Sequence, residues 1–125
     1  MSNGGADAEF FERLAELNDK FARSLPQTLG RLAQARAVFD PAAPQPALVE
    51  QLQAVLHTLA GSSATFGFHV LGRQARALEQ RQQVLATFDD AGAREWEAWL
   101  AALDVFIAWG LRDPKAAYPE DESAT

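Results

Sequence analysis

The chain has 125 residues, 48% hydrophobic and 22% charged, with a formal charge of −6 and no cysteine. This length suits one domain that buries roughly 65 to 70% of its unfolded surface, and disulfides and thiolate metal sites are excluded. Acidic residues outnumber basic ones 17 to 11, and only two of the basic ones are lysine, so no field favours nucleic acid or an anionic membrane surface.

No stretch alternates apolar and polar residues as a half-buried strand does, whereas several repeat every three and four residues, so the chain reads as all-α. The first stripe is Phe10, Leu14, Leu17, Phe21, Leu25, Leu29 and Leu32. It keeps its phase across Pro26, which predicts one kinked N-terminal helix, with Ser24 and Gln27 available to cap a restart. Asp40 to Pro46 carries three prolines in seven residues and must be a connector. A second helix follows to about Phe66, ended by Gly67 in the left-handed cap position, and a third runs from about His69 to Phe88 with Leu71, Leu78 and Leu85 on one face. So short a link makes these two helices antiparallel neighbours.

Asp89, Asp90 and Gly92 form the next turn, and Trp96, Leu100, Leu103, Phe106 and Ile107 mark a last helix to about Leu111. Four amphipathic helices predict an up-and-down bundle over residues 8–112. Residues 1–7 and 113–125 offer nothing periodic to bury, and a mobile N-terminus and a mobile acidic tail are expected. Met1 and these two ends fit a free-standing monomer. With no basic-then-apolar leader and no apolar run near 18 residues, the expected location is cytoplasmic, with no membrane partner.

On the second helix, about 100° per residue puts Leu48, Leu52, Val55, Leu56, Leu59, Ser63 and Phe66 on a core face. His57 points about 160° away from its centre. The neighbours on its own face are Gln53, Ala54, Ala60 and Gly61, and Ala64 lies just beyond. A glycine inside a helix costs on the order of 1 kcal/mol relative to alanine. Two readings are open: the small side chains give a bulky reactant access to a nucleophilic imidazole, or His57 is an ordinary surface residue beside a tolerated glycine.

His57-Thr58-Leu59-Ala60-Gly61-Ser62-Ser63, then Phe66-Gly67, Leu71 and Leu78-Glu79, resembles the signature of histidine-containing phosphotransfer (HPt) domains. There the motif runs His-x-Leu-Lys-Gly-Ser-Ser/Ala, followed by a turn glycine and a Leu-Glu pair on the next helix. The resemblance implies a four-helix bundle acting as a phosphorelay intermediate. His57 would accept a phosphoryl group from a receiver-domain aspartyl phosphate and pass it to another receiver, and the partners would be receiver domains of response regulators and a hybrid sensor kinase. It implies no cofactor and no metal in this chain, with Mg²⁺ expected only on the receiver, and no kinase activity of its own. Glu79 would accept the Nδ1 hydrogen and orient the imidazole.

The sequence departs from the pattern at Ala60, where the family usually has lysine. Pairing His57 with Glu79 across the hairpin places position 60 opposite Arg76, which either supplies the missing charge or forms a surface pair with Glu79. Gln53, Gln83 and Phe68 are candidate docking residues for the partner, although Phe66 and Phe68 can equally close the bundle end. Val105 and Trp109 point away from the last helix's core stripe and fit either a second docking patch or packing beneath the first helix. Arg81, Gln82 and Arg94 read as solvated, and His69 as a surface residue at a helix start. The rival reading, from another class, is a non-catalytic helical adaptor that lost transfer with the lysine.

Overall fold

The computed structural model describes residues 2–88 and 91–119, so Asp89, Asp90 and the final six residues of the expected tail lie outside the described residues. Four helices follow one another: α1 (Ser2–Ala37), α2 (Pro46–Thr65), α3 (His69–Thr87) and α4 (Ala93–Arg112). Each helix packs against its neighbours in sequence, and α1 also meets α4, which closes the ring of an all-α four-helix bundle. None of the helices is long and apolar enough to cross a membrane among the described residues.

The local chemistry explains where the helices begin and end. Pro46 opens α2, where its missing N–H has no intrahelical partner to lose. In the connector ahead of it, the Asp40 carboxylate accepts from the Ala42 N–H at 2.9 Å. Gly67 has φ +82, and it lets the chain reverse within three residues, because a side chain there would strain the backbone. At the start of α4, Glu95 reaches back to accept from the Gly92 N–H at 2.9 Å.

Leu25, Leu29, Leu32, Leu52, Leu56, Leu71, Leu78, Trp99, Leu100, Leu103 and Phe106 fill the interior, so the predicted faces of α2, α3 and α4 point inward. The α1 stripe is buried only in part. Phe10 and Leu17 are 62% and 49% exposed. At 1.5 Å per residue a 36-residue helix is about 54 Å long, against about 30 Å for a 20-residue one such as α2, so α1 outruns its neighbours.

The helix continues through Pro26, and Ser24 does not cap a restart there. Its hydroxyl instead donates back to the Phe21 carbonyl at 2.6 Å. Helix also occupies residues 2–7, ahead of the apolar stripe.

At the other end, the expectation that residues 113–125 have nothing to bury is corrected at Tyr118. This residue is 2% exposed, and its ring meets Trp109 edge-on at 5.0 Å. Trp109 donates its Nε1–H to the Ala116 carbonyl at 3.2 Å and is itself buried. Trp109 is therefore interior rather than part of a docking patch, while Val105 stays 39% exposed.

Candidate functional site

The site is built across the α2–α3 hairpin. Leu52, Leu56, Leu59 and Ser63 turn one face of α2 into the core, which drives the opposite face, with His57, into solvent. The His57 side chain is 73% exposed, whereas that of Glu79 on α3 is 8% exposed, and the two meet at 2.9 Å between Nδ1 and Oε2. Against an ionised carboxylate, which has only lone pairs to offer, such a contact is made by the tautomer with its hydrogen on Nδ1, in which Nε2 keeps its lone pair. An open depression around the ring is lined by Glu50, Gln53, Ala54, His57, Glu79 and Gln83. Glu50 is the lining residue that the sequence reading missed; it stands seven residues before His57, two helical turns along the same face.

Of the four small residues expected around the ring, three lie at the surface and one does not. Ala54, Gly61 and Ala64 are exposed, and a Cβ added at Gly61 would meet nothing within 4 Å. Ala60 is 4% exposed and offers no access. It lies in the seam with α3, where a Cβ on Gly72 would stand 3.2 Å from the Ala60 carbonyl oxygen. Close approach of the helices at Gly72 covers the position.

Two further placements differ from expectation. Phe68 is 5% exposed, stacks at 5.2 Å on Phe21 and lies under the Lys115 ammonium at 4.7 Å. It closes the bundle end and presents nothing to a partner. Gln82, read as solvated, is 1% exposed and donates from Nε2 to the Val49 carbonyl at 2.8 Å. Its place was legible in the spacing, since Leu71, Ala75, Leu78, Gln82 and Leu85 recur every four and three residues. Arg76 is exposed, and among the described residues it forms no ion pair or hydrogen bond. The alternative pairing with Glu79 is therefore not made; Glu79 is engaged by His57. His69 is exposed at the start of α3, twelve residues from His57 and beyond the turn.

A second groove, between α1 and α2, is lined by Phe21, Ser24, Thr28, Arg31, Ala54, Val55, Thr58, Leu59 and Ser62. Ala54 borders both depressions, so the ring stands between the groove on one side and α3 on the other.

The family model of the Hpt domain matches residues 16–106, a span that holds the His57 motif, the turn glycine and Glu79. The chain belongs to the Hpt domain family. As an Hpt domain it is a component of histidine phosphotransfer in two-component phosphorelays, a class of domain that interacts with receiver domains. Comparison with curated proteins and with solved structures finds no match. The matched span begins at Glu16, within α1.

Proposed function

We propose that this Hpt domain carries phosphoryl groups on His57, taking them from the aspartyl phosphate of one receiver and giving them to the aspartate of another. The observation that carries this reading is the pairing of an open imidazole with a buried carboxylate, 73% and 8% exposed, at 2.9 Å. Burial fixes Glu79, Glu79 fixes the ring, and the ring's free nitrogen faces solvent with Gly61 open beside it.

In the transfer, the Nε2 lone pair attacks phosphorus as the bond from phosphorus to the receiver's aspartyl oxygen breaks. The electron pair of that bond leaves with the carboxylate. The ring then bears positive charge, which Glu79 stabilises through the Nδ1–H. Return transfer runs the same exchange in reverse, with a receiver carboxylate as nucleophile. Any Mg²⁺ belongs to the receiver, while this chain supplies the nucleophile, its orienting carboxylate and the shape of the approach. Arg76, which has no partner among the described residues, is the cation we assign to the phosphoryl group in place of the absent lysine at position 60. Gln53 and Gln83, at the rim of the depression, are assigned to receiver docking.

Incubating the chain with a phosphorylated receiver tests the reading. Acid-labile, base-stable phosphate is expected on His57, with none in His57→Gln and the wild-type amount in His69→Gln. Label retained in His57→Gln overturns the assignment, and binding of the receiver without any label favours the adaptor reading.

A further inference from the structure

We infer that Gln82 is a positioning residue for this site: its amide holds α3 against α2 in the register at which Glu79 meets the ring of His57. The inference rests on the reading that Glu79 orients His57.

The ring is too exposed for packing to hold it, so its orientation depends on where α3 places the Glu79 carboxylate. Glu79 and Gln82 are three residues apart and share the face of α3 turned to α2. At the turn end of the hairpin the register is set by the close approach at Gly72. Between Gly72 and Gln82 the buried α3 residues other than Glu79 are Ala75 and Leu78. Their side-chain contacts with α2 are apolar and non-directional, and the directional bond at Leu78, from Trp99 Nε1, runs to α4 and not to α2. Gln82 supplies a directional contact at the far end, 2.8 Å from Nε2 to the Val49 carbonyl.

The residue type argues the same way. Gln82 Oε1 is buried with no hydrogen-bond partner among the described residues, a cost that methionine of similar length would not carry. Glutamine is therefore a poor choice for packing alone, and what it gains is a fixed register.

The test uses the full chain with Gln82→Met, Glu79→Ala and the double variant. Ring ¹⁵N shifts, at a pH where the imidazole is neutral, report the fraction of His57 with its hydrogen on Nδ1. Phosphoramidate, a small donor that needs no receiver, reports the reactivity of Nε2. Gln82→Met is expected to unfold at the same urea concentration as the parent or a higher one, to lose the predominance of the Nδ1–H form, and to be phosphorylated about tenfold more slowly. In the Glu79→Ala background it should change neither quantity further, because its effect runs through Glu79.

A parent-like tautomer ratio and rate in Gln82→Met overturn the inference, and so do effects that simply add in the double variant. Gln82→Leu, which also removes the donor, decides the matter in the same way if the methionine variant does not fold. If no receiver ever labels His57, the proposed relay function fails, yet the tautomer measurement still decides the role of Gln82.

Discussion

The indole of Trp99 donates its Nε1–H to the carbonyl of Leu78 at 2.9 Å, at the residue immediately before Glu79. A fully buried side chain of α4 is thus tied to the stretch of α3 that carries Glu79. Trp99→Phe removes this hydrogen bond and leaves unfilled volume in the core. It should destabilise the domain by about 1 to 3 kcal/mol, measured by urea unfolding with an unchanged slope.

Access to the ring is tested at Gly61. A side chain there meets only open space, and glutamine favours helix over glycine, so Gly61→Gln should keep or raise stability. Under the proposed reading, in which a receiver reaches Nε2 over this open position, the added side chain should lower transfer by at least tenfold. Wild-type transfer with an unchanged circular dichroism spectrum would show that the approach does not pass over position 61.

Charge at the site is tested at Arg76, which is exposed and, among the described residues, unpaired. Arg76→Ala should slow transfer several-fold, and Arg76→Lys should keep most of the rate, since under the proposed role a positive charge at this position is what matters. The difference between the alanine variant and the parent should shrink as salt rises, because exposed charges are screened over about 8 Å at physiological ionic strength. If Arg76→Ala transfers normally at low salt, the domain works without this cation.

The segment after α4 is tested at Tyr118, packed on Trp109 and 2% exposed. Tyr118→Ala should cost about 2 to 4 kcal/mol of stability in urea unfolding. Phosphorylation of His57 by a small donor should be unaffected at temperatures where the variant is folded.

Much of this architecture was legible because helical periodicity reports burial directly. The inward faces of α2 and α3, and the outward His57, follow from the spacing of Leu52, Leu56, Leu59, Leu71 and Leu78. What was misread depended on how one helix meets another. Ala60 lies only a quarter-turn or less from His57 around α2, yet it is covered because α3 approaches closely at Gly72. Phe68 and Tyr118 sit outside regular helix, where no periodicity assigns a face; Phe68 is buried against Phe21 of α1 and Tyr118 against Trp109. Gln82 has core spacing but a polar side chain, and its burial follows the spacing because its amide finds a partner in the Val49 carbonyl. Glu79 is the opposite case: its spacing said little, and only the resemblance placed it across from His57.

From Gly5 to Arg13 every side chain of α1 is exposed, although helix runs unbroken from Ser2 to Ala37. Turns of this kind have only local hydrogen bonds to hold them, and helices shorter than about 12 to 15 residues are marginal in water. Their amides should therefore exchange with solvent through fraying, at a rate indifferent to the free energy of the bundle. Far-ultraviolet ellipticity and tryptophan fluorescence will then follow different events on warming. The ellipticity begins to decline while Trp96, Trp99 and Trp109 still report an intact interior, so a sloping pre-transition baseline belongs to one end of one helix and not to a loosening of the fold.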